Sequence, residues 1–164
     1  MPDLHHGGCL CGDIRLQATG QPARTVVCHC HFCQRFTGSA FLVEAIFPQE
    51  AVTLSGAAPA TYVHVSQGSG KAVTLNFCPR CGTTLFLAFE RFPGTIGVCA
   101  GAFDDPNGFE RAPDRTVHVF VGSAQRGVAL PDGVNLYIDH ALQLDGAPHT
   151  PRVLERPAMA CEVV

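Results

Sequence analysis

Short apolar runs separated by turn residues recur along the chain, and their pattern predicts β-strands. Residues 13–18 alternate polar and apolar side chains, as expected of a strand with one buried face. Residues 40–46 are more continuously apolar, which favours a buried strand. Further apolar runs predict strands over residues 61–65, 72–77, 84–89, 95–99 and 116–121. Turn signals rich in glycine or proline separate several of these runs, at residues 68–70, 92–94 and 105–108.

Helical periodicity is weak throughout, and we expect only a short turn of helix over residues 34–37. The pattern therefore predicts a mainly β fold of antiparallel sheets, organised as one domain over residues 1–144. The alternation is lost after Leu144, and Pro148, Pro151 and Pro157 follow. Residues 145–164 are accordingly expected to form an extended C-terminal tail.

Composition narrows the class of protein. At 164 residues the chain is long enough to bury a hydrophobic core as one domain. A hydrophobic share of 46% with a charged share of 15% indicates an ordered, globular chain. The formal net charge is −3 and no basic run occurs, which argues against a nucleic-acid partner.

Neither a membrane-spanning segment nor a secretion signal is recognisable in the sequence. Every apolar run is interrupted within several residues, and residues 1–6 lack the charged and apolar regions of a signal peptide. Nine cysteines without an export signal indicate a reducing compartment, where clustered thiols hold metal more often than they form disulfides. We therefore expect a cytoplasmic protein with no membrane partner.

A dense group of thiols lies at Cys28, Cys30 and Cys33. An odd number of thiols cannot all pair internally, so this trio is not a disulfide framework. Soft thiolate ligands at such spacing are typical of zinc sites. Three protein ligands around a tetrahedral ion leave one position open, and the open position predicts a catalytic zinc.

Two cysteine pairs, Cys9 with Cys11 and Cys78 with Cys81, supply a second set of ligands. Gly82 follows the second pair, where a zinc knuckle often needs a left-handed residue. Together the pairs would enclose a structural zinc and join distant parts of the chain. In an alternative assignment, Cys9 or Cys11 joins the trio and closes its site.

Two histidines and an arginine accompany the trio. His29 and His31 alternate with the thiols; either could be a fourth ligand or a proton carrier, and we favour hydrogen-bonded or solvent-facing imidazoles. Arg35 is a candidate substrate-binding residue, because a guanidinium can bind a carboxylate through two hydrogen bonds.

Four other residues are given structural or incidental roles. Cys99 lies in an apolar run and is expected in the core, because free cysteine packs as a small hydrophobe. Cys161 is expected to be an exposed thiol, and His5 and His6 a loose N-terminal pair.

The chain resembles the glutathione-dependent formaldehyde-activating enzyme family, which includes the centromere protein V relatives. The matching blocks are residues 8–16, 28–40 and 77–83, with a weaker match at residues 104–106. The resemblance extends over roughly residues 7–140 and implies a β-tent-type fold with zinc-binding loops. It also implies two zinc ions: a structural one on Cys9, Cys11, Cys78 and Cys81, and a catalytic one on Cys28, Cys30 and Cys33.

The activity implied by the resemblance is a carbon–sulfur lyase reaction, run as condensation of glutathione with formaldehyde to S-hydroxymethylglutathione. A small thiol such as glutathione would be the partner, bound at the open position of the catalytic zinc with loss of its proton. The chain departs from the family in having no tryptophan.

Two other classes of function stay open at this point. One is a non-catalytic zinc-binding interaction module. The other is a thiol-redox enzyme, for which Cys99 is the candidate reactive cysteine. A zinc deaminase is disfavoured, because no glutamate follows His29 or His31 in the required relation.

Overall fold

β-Strands dominate the secondary structure, as the alternating pattern predicts. The computed structural model describes residues 3–163. The strands are β1 (Leu4–Gly8), β2 (Ile14–Thr19), β3 (Arg24–Cys28), β4 (Leu42–Pro48), β5 (Val52–Gly56), β6 (Ala60–Val65), β7 (Ala72–Phe77), β8 (Thr84–Phe89), β9 (Thr95–Cys99), β10 (Thr116–Val119), β11 (Ala129–Leu130), β12 (Asn135–Leu136) and β13 (Ala158–Met159). The α-helices are α1 (His31–Thr37) and α2 (Ala160–Val163). Within residues 3–163, no helix combines the length and apolar character needed to cross a membrane.

The chain divides into two compact units. The first unit comprises Met1–Ala23 and Glu44–Glu110, and the second comprises Arg24–Val43 and Arg111–Val164. In the first unit, β1, β2 and β5 form an antiparallel sheet in the order β1-β2-β5. The same unit holds an antiparallel succession in the order β4-β9-β8-β7-β6.

The second unit contains parallel strands, which the alternation along the sequence did not predict. Strand β10 pairs in parallel with β3 and with β12. In the first of these pairings, His118 lies opposite Val27 and Val119 lies opposite Cys28. Strands β11 and β13 form a separate antiparallel pair. The fold is therefore mainly β, as predicted, with a mixture of antiparallel and parallel pairing.

The buried interior of the first unit includes a histidine. His5 is only 7% exposed, and its ring centroid lies 5.9–6.2 Å from those of Phe47, Phe103 and Phe109. Its Nε2 lies 3.0 Å from the carbonyl oxygen of Gly20, so the polar edge of the ring has a partner. The expectation that His5 belongs to a loose N-terminal pair was wrong, because β1 carries it into the aromatic core.

An apolar cluster forms in the second unit from residues near the C-terminus. Its buried members are Val121, Leu130, Val134, Leu136, Ala160 and Val163. The segment expected to be an extended tail thus contains β13, α2 and two of these buried residues. The assignment of residues 1–144 to one domain and 145–164 to a tail stays a prediction.

Predicted and observed elements agree best in the centre of the chain. The expected strands over residues 72–77, 84–89 and 95–99 coincide with β7, β8 and β9. The expected turn of helix over residues 34–37 is the second half of α1, which begins at His31. Strands β1, β3, β5, β11, β12 and β13 were not predicted, although the Thr-Val-Val run in β3 has the β-branched character typical of a strand.

Candidate metal centres

Two tight turns in the first unit bring four cysteines together. One turn joins β1 to β2, and the amide of Gly12 donates to the carbonyl of Cys9 over 3.0 Å. The other joins β7 to β8, and the amide of Gly82 donates to the carbonyl of Cys78 over 2.9 Å. Gly12 and Gly82 have φ values of 81° and 76°, a left-handed backbone conformation that residues other than glycine rarely adopt. The expectation for Gly82 is therefore confirmed.

The sulfurs of Cys9, Cys11, Cys78 and Cys81 all lie within 4.8 Å of one another. The Sγ of Cys11 is 3.5 Å from that of Cys9 and 3.7 Å from that of Cys78. Zinc–sulfur bonds of about 2.3 Å in a tetrahedron place neighbouring sulfurs roughly 3.8 Å apart. The donor type, number and spacing of this cluster fit a closed zinc site.

Contacts between the two turns hold the four-cysteine cluster in place. The guanidinium of Arg80 donates to the Asp13 carboxylate over 2.8 Å. The amide of Leu10 donates to the hydroxyl of Thr83 over 3.1 Å. Hydrogen bonds from the side chain and then the backbone of Thr83 lower the pKa of Cys81 to about 5. A thiol with so low a pKa is in the thiolate form that metal binding requires.

The trio lies in the second unit, between the end of β3 and the first turn of α1. Strand β3 ends at Cys28, Cys30 is the N-cap residue of α1, and Cys33 lies in the first turn of that helix. The amide of Cys33 donates to the Sγ of Cys30 over 3.4 Å, and Gly38 is the C-cap residue that follows the helix. The strand end and the helical turn aim the three sulfurs at one point, within 4.8 Å of one another.

The three thiols of the trio differ in acidity. Hydrogen bonds from Cys28 and then Cys33 lower the pKa of Cys30 to about 3. Hydrogen bonding with Cys28 raises the pKa of Cys33 most, followed by hydrogen bonding with Cys30. The pKa of Cys28 is also raised, chiefly by Cys30. One thiolate forms readily, and two more negative charges at this distance need a cation to offset their repulsion.

The trio therefore fits zinc as a three-thiolate donor set. Cys28 and Cys33 are buried, whereas Cys30 is partly exposed. Within residues 3–163, no histidine, cysteine or acidic side chain adds a fourth ligand atom within 4.8 Å of the three sulfurs. Cys9 and Cys11 lie in the other cluster, so the geometry does not favour the alternative in which one of them closes the trio.

The two histidines beside the trio have opposite environments. His29 is fully buried, and its Nε2 lies 3.1 Å from the Nδ1 of His118. The two rings stack at 5.3 Å between centroids, and the ring of Phe41 lies 5.4 Å from His29. His31 is exposed. The interpretation favoured from the sequence, hydrogen-bonded or solvent-facing imidazoles, therefore describes both side chains: His29 is hydrogen-bonded and His31 faces solvent.

Sequence reasoning missed two residues that contact the trio loop. His118 lies 89 positions from His29, and no local pattern connects them; only the parallel pairing of β3 with β10 brings them together. Gln34 contacts the loop through its side-chain amide, and its position directly after Cys33 was the only signal. Arg35 is exposed on α1, and its role in substrate binding stays a prediction.

The two isolated cysteines lie where the sequence predicted. Cys99 is buried, and burial followed by the charge of Glu44 raises its pKa to about 12. Cys161 is exposed. A buried thiol with a raised pKa is a poor nucleophile, which argues against a thiol-redox function for Cys99.

Comparison with known proteins identifies a family and two similar proteins. Residues 4–123, which include both cysteine clusters, match the family described as glutathione-dependent formaldehyde-activating enzyme. An uncharacterized lyase of Schizosaccharomyces pombe is 28% identical over 94 residues, which are 54% of this chain and 60% of that protein. The chain thus spans less than two thirds of that relative. The crystal structure of a Rhodobacter sphaeroides protein is 18% identical with a TM-score of 0.48, covering 60% of this chain and 87% of that one.

Proposed function

The chain belongs to the glutathione-dependent formaldehyde-activating enzyme family, and from this premise we propose that it is a carbon–sulfur lyase. Its substrates would be a small thiol of the glutathione type and formaldehyde, and its product S-hydroxymethylglutathione. The family match over residues 4–123 and the relative named as a lyase support an enzyme of lyase type. The zinc ions and the individual substrate belong to the proposal.

The contrast between the two cysteine clusters carries the proposal. Four sulfurs in one cluster complete a tetrahedral set, whereas the trio supplies three sulfurs. The trio thus accommodates one further donor atom from outside the protein, and a substrate sulfur suits the same soft ion. When bound at the trio, zinc would supply positive charge that stabilises a thiolate and lowers the pKa of the substrate thiol.

The reaction then needs little from the chain beyond binding and orientation. The substrate thiol gives up its proton to solvent, and its sulfur attacks the carbonyl carbon of formaldehyde. A carbon–sulfur bond forms, the π electron pair of the carbonyl moves to oxygen, and the oxygen takes a proton from solvent. In the reverse reaction the hydroxyl loses its proton, the carbonyl forms again, and the electron pair of the carbon–sulfur bond returns to sulfur. Cys30 is the partly exposed member of the trio, so the substrate would approach on its side of the loop. Buried Cys28 and Cys33 form the protected side of the site.

An NMR exchange experiment tests this function. ¹³C-formaldehyde would be added to glutathione, and magnetisation exchange between glutathione and S-hydroxymethylglutathione would be measured. The rate without protein is the reference, because the reaction also proceeds uncatalysed. The zinc-loaded protein should accelerate the exchange, and Cys30→Ser should return the rate to the uncatalysed value with loss of one metal equivalent. Equal acceleration by the wild-type protein and Cys30→Ser would contradict the proposal.

A titration of the cobalt-loaded protein separates the enzyme from a non-catalytic zinc module. Added glutathione should change the absorption bands of the cobalt at the trio in a saturable manner, because the fourth donor enters its coordination sphere. Bands unchanged by glutathione, together with an unaccelerated exchange reaction, would favour the interaction module.

A further inference from the structure

The side chain of Gln34 makes three hydrogen bonds of defined direction. Its Nε2 donates to the carbonyl oxygen of His29 over 2.6 Å and to that of Ser123 over 2.9 Å. Its Oε1 accepts from the Nε2 of Gln125 over 3.1 Å. With two carbonyl acceptors at the nitrogen and a donor at the oxygen, the amide has one orientation that satisfies every partner.

The first of these bonds acts on the trio loop itself. His29 lies between Cys28 and Cys30, so its carbonyl belongs to the peptide that leads directly into Cys30. The amide of His29 donates to the carbonyl of Val119 over 3.0 Å. Together with the bond from Gln34, this contact fixes the peptide units on both sides of His29. The orientation of these units sets where the sulfurs of Cys28 and Cys30 point.

The second bond connects the loop to the C-terminal part of the chain. Ser123 ends a short 3-10 turn that begins at Val121, and Val121 is fully buried in the C-terminal apolar cluster. The other buried members of that cluster lie after residue 123, where the family match ends. Gln34 therefore links the loop that carries the trio to a support built from the chain beyond the matched residues.

We propose that Gln34 is a positioning residue that holds the trio in its metal-binding geometry by joining the His29 carbonyl to the Val121–Ser123 turn. This inference rests on the proposed metal site at the trio. Hydrogen-bonding partners of the peptides and rings around metal ligands orient those ligands, and their loss typically lowers metal affinity about 10- to 100-fold. Gln34 would act on the cysteines through the backbone, without contacting the metal.

Competition for cobalt between the protein and a chelator tests the inference. Gln34→Met keeps the length of the side chain and removes both donated hydrogen bonds. We expect its trio to lose cobalt at a chelator concentration about 10- to 100-fold lower than in the wild-type protein, with altered absorption bands. The four-cysteine cluster of the same molecule should keep its cobalt and its bands, and an unchanged circular dichroism spectrum should show that the unit carrying the trio is folded. Cys30→Ser assigns the bands of each cluster.

Gln125→Met is the matched control, because it removes only the exposed hydrogen bond to Oε1 and leaves both donated bonds. It should retain the cobalt affinity of the wild-type trio. Gln34→Asn keeps an amide but shortens the side chain by one methylene, and it should behave like Gln34→Met. A trio affinity and spectrum in Gln34→Met equal to those of the wild type would overturn the inference.

Failure of the proposed function can be distinguished from failure of the inference on Gln34. If the wild-type trio takes up no cobalt, the proposed metal site fails, and alkylation of the metal-free protein then decides the role of Gln34. Buried Cys28 and Cys33 should be alkylated faster in Gln34→Met than in the wild type if the amide holds the loop. Equal alkylation rates would overturn the inference.

Discussion

The Nε2 of His29 lies 3.1 Å from the Nδ1 of His118, and both imidazoles are buried. The contact depends on the parallel pairing of β3 with β10, which places His118 opposite Val27, two residues before His29. Burial lowers the pKa of His29 to about 4. Burial and then the neighbouring His29 lower the pKa of His118 to about 4 as well. Both rings are therefore neutral at pH 7, and one nitrogen of the contact donates to the other.

This low pKa predicts that acid destabilises the protein through His118. In the unfolded chain His118 is protonated near pH 6.5, whereas in the folded chain it is protonated only near pH 4, so the unfolded state binds more protons between these values. Stability should therefore fall as the pH is lowered from 6.5 to 4, by about 3 kcal/mol for this residue. The measurement is the free energy of unfolding from urea denaturation at a series of pH values.

His118→Asn supplies the comparison, because asparagine retains a polar nitrogen near the position of Nδ1 and does not titrate. The variant should show a flatter dependence of stability on pH between 6.5 and 4 than the wild type. Parallel curves for the two proteins would show that His118 does not contribute to acid sensitivity.

Substitutions in the two clusters should affect stability unequally. Cys78→Ser should lower the stability by more than about 4 kcal/mol, or the melting temperature by roughly 8–16 °C, because it removes a ligand from a closed site that joins two hairpins. Cys30→Ser should melt close to the wild type, because serine remains a good N-cap for α1. Calorimetry of zinc-loaded samples measures both; equal losses of stability would refute the division into structural and catalytic sites.

The C-terminal apolar cluster should contribute substantially to stability. Leu130 is fully buried there, so Leu130→Ala should cost about 2–5 kcal/mol. Leu144 is 72% exposed, and Leu144→Ala makes the same chemical change at a cost below about 0.5 kcal/mol. Urea denaturation of both variants measures the difference. Similar small effects from the two substitutions would mean that the segment after Leu130 adds little to the fold.

The isolated cysteines should differ in reactivity. Burial and the charge of Glu44 raise the pKa of Cys99 to about 12, whereas Cys161 is exposed. Iodoacetamide at pH 7.5 should therefore alkylate Cys161 in the folded, zinc-loaded protein and leave Cys99 unmodified until the protein is denatured. Peptide mass spectrometry at timed intervals gives both rates. Rapid modification of Cys99 in the folded protein would support the alternative of a thiol-redox enzyme.

Local signals in the sequence predicted part of the secondary structure and the presence of clustered thiols. Alternation of polar and apolar residues predicted β7, β8 and β9, because the side chains of a strand alternate between its faces. Cysteine spacing predicted two groups of sulfurs, because each pair or trio occupies a single tight turn or helix start. Spacing favoured a division of the seven cysteines into four and three but left open the alternative in which Cys9 or Cys11 joins the trio. The tertiary structure groups the sulfurs four and three.

Contacts between distant residues were decided by the tertiary structure alone. Neither the His29–His118 contact nor the bond from Gln34 to Ser123 has a local pattern, since each joins residues 89 positions apart. The burial of His5 among three phenylalanines likewise depends on chain segments brought together by folding. The sequence by itself determined which atoms can bind metal, because that property belongs to the side chain. Only the fold decided what orients those atoms, because orientation depends on which distant groups pack against the loop.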